Sequence, residues 1–192
     1  MKMLLELRPG DSFMIGEFPF IVLGHNAVKN ETLVLSKEFL YTSRSFGLNP
    51  NYAESSLKER IDSIVPMIEE KLGADSLIEH EVDLVTVDMQ RPFPPCKCKV
   101  RPLTFDEARE YNSLITYGTR NDRQLYWSCT PWSTAERAWA NSVVEISTLG
   151  SFGRATCDSG RCVRVACYLK SNILVVENKE EVVDDNLFEI VF

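Results

Sequence analysis

The alternation of apolar and polar positions predicts a group of β-strands at the start of the chain. Between Gly10 and Gly24, turn residues separate short apolar runs, which predicts two strands on either side of a tight turn at Gly16-Glu17. A third apolar run predicts a strand from Thr32 to Ser36. Together these segments predict an N-terminal antiparallel meander.

The segment from Asn51 to Leu72 has helical periodicity. Its apolar positions recur at steps of three and four, as in an amphipathic helix. These positions are Leu57, Ile61, Ile64, Val65, Ile68 and Leu72. Ser55 or Ser56 is placed to cap this helix, and Pro66 is expected to split or kink it.

A proline-rich loop precedes a second, shorter helix. Three prolines between Pro92 and Pro95 fix the backbone and remove hydrogen-bond donors, so Arg91–Cys98 is predicted to be a rigid loop. Thr104 and Glu107 have the spacing of a capping box, which predicts that a short helix follows over Ala108–Ile115.

The remaining apolar runs are short and lie between turn residues, so they predict further strands. The predicted strands cover Glu79–Met89 and lie around Tyr126-Trp127, Val143–Ile146, Gly153–Cys157 and Val163–Leu169. The C-terminal segment Ile173–Phe192 predicts a strand, an acidic turn and a final apolar strand, Leu187–Phe192.

Length and composition indicate a single globular domain over residues 1–192. The chain is 44% apolar and 26% charged, which is typical of a domain that builds its own core without disulfides. No stretch approaches 18 consecutive apolar residues, and charges interrupt the apolar run at the N-terminus. We therefore expect no membrane association, no signal peptide and synthesis in the cytoplasm.

The net charge bears on the class of partner. A formal charge of −7 disfavours direct binding to nucleic acids, whose affinity for proteins comes largely from Lys and Arg neutralising phosphates. It favours a protein partner, and the oligomeric state is left open.

Six cysteines raise the question of metal or disulfide chemistry. They are Cys96, Cys98, Cys129, Cys157, Cys162 and Cys167. We expect reduced thiols, because no targeting sequence is recognised. Cys96 and Cys98 together with Cys129 or Cys157 suggest a zinc site, but the paired Cys-x-x-Cys spacing of strong zinc motifs is absent. We therefore expect no metal and no other cofactor, although metal binding by these thiols is left open.

The two histidines, His25 and His80, belong to no recognisable catalytic motif. Both are predicted to lie at the surface, and no catalytic residue is assigned.

A series of weak motifs follows an order known from one superfamily. The motifs are Arg101-Pro102-Leu103-Thr104-Phe105-Asp106-Glu107-Ala108, Tyr126-Trp127-Ser128-Cys129-Thr130-Pro131 and Gly160-Arg161-Cys162-Val163-Arg164-Val165-Ala166. This order resembles the bacterial and phage branch of the C-type-lectin-like superfamily, which includes the formylglycine-generating enzymes and the Fibrobacter-type paralogous domains. The N-terminal part, with Asn51-Tyr52-Ala53-Glu54-Ser55 opening a helix, looks like a subfamily of gut Firmicutes and their phages. Arg91–Val100 departs from the pattern as an insertion.

The resemblance implies an α+β fold in which two helices pack on short antiparallel sheets with long loops. It also raises the question of a copper site, because the formylglycine-generating enzymes carry a copper-binding cysteine pair with the spacing of Cys162 and Cys167. On a strand, however, an odd offset places two side chains on opposite faces. The calcium-binding motifs of sugar-binding lectins are absent.

In the resembling proteins, the region after the second helix includes the loop that displays ligand contacts. Exposed Trp, Tyr and Arg side chains are frequent binding hot spots. The candidate ligand-binding residues here are Tyr117, Arg120, Arg123, Trp132, Arg137 and Trp139. Trp127, in the Trp-Ser strand, is expected in the core.

These observations favour a non-enzymatic recognition module of phage or bacterial origin that binds a protein or surface ligand through loops around Arg91–Lys99 and Thr116–Arg137. It would reside in the cytoplasm or, after assembly, in a virion. One alternative is a phage-encoded inhibitor of a host defence nuclease, in which an acidic protein blocks a basic site. A third hypothesis is a copper- or zinc-dependent oxidoreductase.

Overall fold

The N-terminal pattern of apolar and turn residues folds into strands in a computed structural model, which describes residues 1–73, 75–117, 123–134, 136–177 and 187–191. The first elements are β1 (Lys2–Met3), a 3-10 turn (Leu4–Glu6), β2 (Ser12–Ile15), β3 (Phe18–Asn26) and β4 (Glu31–Ser36). Gly16 turns the chain between β2 and β3 with a φ of 60°, which glycine adopts without strain. The predicted meander is confirmed.

The helical periodicity after Asn51 is distributed over two short helices. After β5 (Tyr41–Arg44) and a 3-10 turn (Tyr52–Glu54) come α1 (Ser56–Asp62) and α2 (Val65–Leu72). The Ser55 hydroxyl caps α1 by accepting the Lys58 backbone N–H at 3.0 Å. Pro66 lies in the first turn of α2, where its missing N–H does no harm, so the predicted split is confirmed.

The middle of the chain contains very short elements. They are β6 (Leu77–Ile78), β7 (His80–Val82), β8 (Cys96–Cys98), β9 (Val100–Arg101), α3 (Phe105–Glu110) and α4 (Asn112–Ile115). The strand predicted to reach Met89 ends at Val82, and the predicted proline loop ends in strand β8 because all its prolines precede Cys96. The capping box of Thr104 and Glu107 is confirmed at the start of α3.

The C-terminal strands agree with the sequence pattern except at one break. They are β10 (Leu125–Pro131), β11 (Ser142–Ser147), β12 (Phe152–Thr156), β13 (Arg161–Val163), β14 (Ala166–Lys170), β15 (Leu174–Glu177) and β16 (Leu187–Val191). The single strand predicted from Val163 to Leu169 is interrupted at Arg164 and Val165, so that β13 and β14 enter different sheets. The predicted acidic turn before β16 falls largely outside the described residues.

Among the described residues the strands form three sheets. A nine-stranded sheet has the order β1-β15-β16-β2-β3-β4-β14-β6, with β9 also paired to β14. A five-stranded sheet has the order β12-β11-β10-β13-β5, and β7 and β8 form a two-stranded sheet. The pairs β16–β2 and β10–β13 are parallel, and the other pairs are antiparallel.

The predicted α+β fold of two helices on short antiparallel sheets is wrong. Of the described residues, 40% lie in strands and 18% in helices, so the chain is predominantly β. No α-helix in the described part exceeds eight residues. The predicted first helix is divided near Pro66 into two helices of about two turns each, and they lie beside a sheet far larger than the short sheets that were expected.

Two buried clusters fill the interior, one around Phe13, Trp127 and Leu169 and the other around Leu35 and Tyr126. Trp127 is fully buried, and its indole N–H donates to the Arg44 carbonyl at 2.7 Å, which confirms its predicted place in the core. No helix in the described ranges is long and apolar enough to cross a membrane.

Candidate functional site

The six predicted contact residues lie in more than one place. Arg120 is outside the described residues. Tyr117 is 41% exposed, and its ring packs on the Phe39 ring. Arg123, six residues later in the sequence, is exposed. Trp132 is half-buried and extends the β10–β11 ladder by donating its backbone N–H to Ser142. No described contact joins Tyr117 or Arg123 to the other candidates.

Trp139 is the candidate with the most unusual geometry. Its side chain is 55% exposed, and its backbone has a φ of 72°, in the left-handed region that bulky residues rarely adopt. The Arg154 guanidinium lies 3.2 Å from the centre of the indole ring, in a cation–π contact. Arg154 belongs to β12, the outermost strand of the five-stranded sheet.

A second aromatic–arginine contact lies on the same face of β12. Phe152 precedes Arg154 by two residues, so both side chains point to one side of the strand. The Phe152 and Phe105 rings meet edge to face, with 5.1 Å between their centres. The Arg109 guanidinium lies 4.7 Å from the centre of the Phe105 ring. We call these five residues, Phe105, Arg109, Trp139, Phe152 and Arg154, the aromatic–arginine surface.

A polar cleft of about 540 Å³ adjoins this surface and shares Phe105 and Arg109 with it. Its other wall is the loop of residues 83–91, in which Met89 is 73% exposed. Arg137 pairs with Asp88 at 2.8 Å and so holds the segment that carries Trp139 against this loop. The structure therefore brings Arg137 and Trp139 close to the loop of residues 83–91. The last residue of this loop, Arg91, is the first residue of the predicted binding loop Arg91–Lys99.

The floor of the cleft is a buried ion pair. Arg101 donates to the two carboxylate oxygens of Glu107 at 2.6 and 2.7 Å, and the Thr104 backbone N–H donates to the same carboxylate at 2.9 Å. Burial opposes ionisation of Glu107, but the bonds from Arg101 outweigh it and lower the Glu107 pKa. In Arg101, burial is likewise outweighed by Glu107, so its pKa is raised. The pair is charged and satisfied internally.

Both histidines, predicted at the surface, are half-buried, so that prediction is wrong. His25 bonds to Thr32 Oγ1 and the Leu7 carbonyl, both at 2.8 Å. The His80 ring stacks on the Tyr168 ring with 3.9 Å between the ring centres. The His80 Nε2 atom lies 3.3 Å from a Glu31 carboxylate oxygen, but the two atoms do not have the geometry of a hydrogen bond. Tyr168 continues the cleft toward α3, and burial raises its pKa to about 12.

The cysteines do not assemble into a metal centre. Within the described ranges, no group of three or more His, Cys, Asp or Glu residues is arranged to hold a metal ion. Cys162 and Cys167 lie in different core clusters, in strands of different sheets. All six cysteines are buried free thiols.

Phe105, Arg109, Phe152 and Arg154 were not among the sequence candidates. The alternation of Phe152 and Arg154, at the start of the strand predicted from Gly153, was the available signal, but the aromatic partners of these two residues lie far away in the sequence. Comparison with known proteins gives no match, whether to a family model, a curated protein or a solved structure. The superfamily resemblance stays a prediction, and the site must be interpreted from its own geometry.

Proposed function

We propose that this protein is a recognition module that binds a protein ligand through the aromatic–arginine surface and the adjoining cleft. The exposed, left-handed Trp139 stacked on Arg154 carries the proposal. Such a backbone conformation costs on the order of 1–3 kcal/mol and persists where the surroundings impose it, frequently at binding sites. Trp and Arg are also the side chains that most often dominate binding energy at protein interfaces.

Charge at this surface favours a ligand segment with acidic groups. Arg154 forms no ion pair with any described residue, so its guanidinium is free to meet a carboxylate of the ligand. Arg109 and Arg137 each pair with one aspartate, and the adjoining cleft is lined by acidic as well as basic side chains. The attraction for an acidic ligand group therefore centres on Arg154.

The alternatives have less support. Arginines on the surface do not complement an arginine-rich nucleic-acid channel, so the nuclease-inhibitor hypothesis depends on the net charge of −7 alone. The oxidoreductase hypothesis requires Cys162 and Cys167 to act together, and they lie in different clusters. Phage or bacterial origin and a place in a virion remain proposals based on the resemblance.

Replacing Trp139 or Arg154 with alanine is expected to weaken ligand binding at least ~30-fold, the equivalent of about 2 kcal/mol, because each change removes a central hot-spot contact. Trp132→Ala and Arg137→Ala should have smaller effects. The partner is first captured from a lysate of the source organism and purified, and its Kd for each variant is then measured by titration calorimetry. The melting temperature should stay nearly constant for the exposed positions.

Arg44→Ala is the matched control. The Arg44 guanidinium lies 4.9 Å from the centre of the Tyr41 ring. Both residues belong to β5, at the edge of the five-stranded sheet opposite β12, so this is an equivalent arginine–aromatic contact away from the cleft. Its loss should leave Kd unchanged. The assignment fails if Trp139→Ala and Arg154→Ala bind as tightly as the native chain, or if Arg44→Ala weakens binding equally.

A further inference from the structure

Four of the six cysteines lie within the electrostatic influence of one buried arginine. The positive charge of Arg101 favours the thiolate form of Cys96, Cys98, Cys129 and Cys167 and so opposes the effect of burial on the pKa of each. In Cys129 and Cys167, burial is the larger effect and raises the pKa to about 12. These two thiols are therefore poor nucleophiles, and Cys96 is the thiol of this cluster whose pKa is lowered.

Cys96 and Cys98 are neighbours on one face of β8. They are two residues apart on a strand, so both side chains point inward, while Lys97 between them is exposed. The Cys98 thiol donates to the Cys96 backbone carbonyl at 3.9 Å, and the Cys96 thiol donates to the Lys97 carbonyl at 3.7 Å. The interaction between the two neighbouring thiols lowers the pKa of Cys96 and raises that of Cys98, so Cys96 is the first of the pair to ionise and Cys98 stays protonated beside it.

A further buried polar atom lies beside the pair. The Tyr52 hydroxyl is fully buried and has no hydrogen-bond partner among the described residues. Burial raises its pKa, and the neighbouring Cys129 and Cys98 thiols add to this effect. An unsatisfied buried hydroxyl is rare, and a redox or catalytic role is one of its recognised explanations.

The strand that carries the pair has one short partner strand among the described residues. β7 and β8 share three residue pairs, His80 with Cys98, Glu81 with Lys97 and Val82 with Cys96. Val82, Cys96 and Cys98 pack into the main hydrophobic core, so the two cysteines are only 4–5% exposed. A small reagent reaches the thiols when this short ladder opens locally, because separating three residue pairs costs less than unfolding the whole chain.

We propose that Cys96 and Cys98 form a redox-active dithiol that closes to an intrachain disulfide by exchange with a low-molecular-weight disulfide of the glutathione class. The Cys96 thiolate attacks one sulfur of the reagent, which forms a mixed disulfide and releases one thiolate that takes up a proton. Cys98 then loses its proton and attacks the Cys96 sulfur, which forms the Cys96–Cys98 bond and releases the second reagent thiol. Two protein thiols are oxidised and one reagent disulfide is reduced to two thiols.

Closure requires the strand to bend. Residues two apart on a strand have Cα atoms about 6.6 Å apart, whereas a disulfide usually joins Cα atoms about 5.5–6 Å apart and at most about 6.8 Å. The backbone at Lys97 must therefore shorten, which breaks the pairing of β8 with β7. Because β7 leads directly into residues 83–91, oxidation moves the loop that walls the polar cleft.

The test is incubation of the native chain with oxidised glutathione, followed by measurement of its intact mass and by a peptide map without reduction. The expected product has lost two hydrogen atoms and carries the bond within the peptide that contains residues 96–98. Cys98→Ser should instead accumulate a glutathione adduct on Cys96, and Cys96→Ser should react at least ~10-fold more slowly. Cys157→Ser is the control, because burial raises the Cys157 pKa to about 11, and it should behave like the native chain.

A stable glutathione adduct on Cys96 in the native chain would overturn the resolving role of Cys98. Recovery of six unmodified thiols, or a disulfide between other cysteines, would overturn the proposal as a whole. The native-chain measurement decides these outcomes without any variant, and far-UV circular dichroism establishes that each serine variant is folded.

Discussion

Glu107→Gln is expected to lower the free energy of unfolding by about 3–5 kcal/mol, because it leaves the buried Arg101 charge without its counter-ion. The side chains of Arg101 and Glu107 are only 6% and 15% exposed, so water cannot replace the lost carboxylate. Glutamine has nearly the same shape and can still accept one hydrogen bond, so the change isolates the charge. Urea denaturation of the two proteins at pH 7 measures the difference.

Asp106→Asn provides the control from the adjacent residue. Asp106 pairs with Arg109, but these side chains are 71% and 58% exposed, so the change should cost less than about 1 kcal/mol. Equal destabilisation by Asp106→Asn and Glu107→Gln would contradict a special role for the buried pair.

The same pair predicts a dependence on pH. Burial raises the Glu107 pKa, but the bonds from Arg101 lower it more, so the folded pKa lies below the unfolded value of about 4.3. The ionised carboxylate therefore stabilises the fold above that value, and this contribution is lost as the pH falls through the folded pKa. The stability difference between the native chain and Glu107→Gln should shrink below pH ~4.

Arg164→Met is expected to destabilise the fold by about 3 kcal/mol, because two buried backbone carbonyls lose their donor. Arg164 is 2% exposed and donates to the carbonyls of Ser36 and Ile115 at 2.8 and 3.2 Å. Its guanidinium also lies 5.1 and 5.3 Å from the rings of Tyr117 and Tyr126. Methionine fills much of the same volume without offering a donor, and thermal and urea unfolding measure the loss.

Arg154→Ala is the comparison for Arg164→Met. Arg154 also stacks on an aromatic ring, but it does so at the surface, so its replacement should change the melting temperature little while weakening ligand binding. A melting temperature that falls as far for Arg154→Ala as for Arg164→Met would show that the outer stack belongs to the core, and it would remove the basis of the recognition surface.

Local structure was predictable where one or two residues determine it. Gly16 set the first turn, and the Ser55 and Thr104 hydroxyls set the starts of α1 and α3, because each acts on backbone groups within three residues. The fold class was not predictable in this way. β14 pairs with β4, β6 and β9, and two of these partners are only two residues long, too short for any period to show.

The candidate site could be predicted only in part, because some of its residues are recognisable locally and others depend on distant contacts. Trp139 and Arg137 were recognisable as a Trp and an Arg in a polar, turn-rich segment, and the structure places both beside the cleft. Arg154 and Phe152 acquire their role only through contacts with Trp139 and Phe105, which distant parts of the chain supply. The contact between the outer face of β12 and helix α3 is formed only in the folded chain, so the sequence alone does not predict it.

The position of β16 in the nine-stranded sheet has a consequence for synthesis in the cell. This strand comes from the last described residues, yet it pairs with β15 on one side and lies parallel to β2, near the N-terminus, on the other. The first strands therefore leave the ribosome long before their neighbour exists, and their open edge at β2 stays unpaired until β16 has been synthesised. Such late, long-range closure slows folding and exposes the nascent sheet to aggregation, so we expect a dependence on chaperones during production.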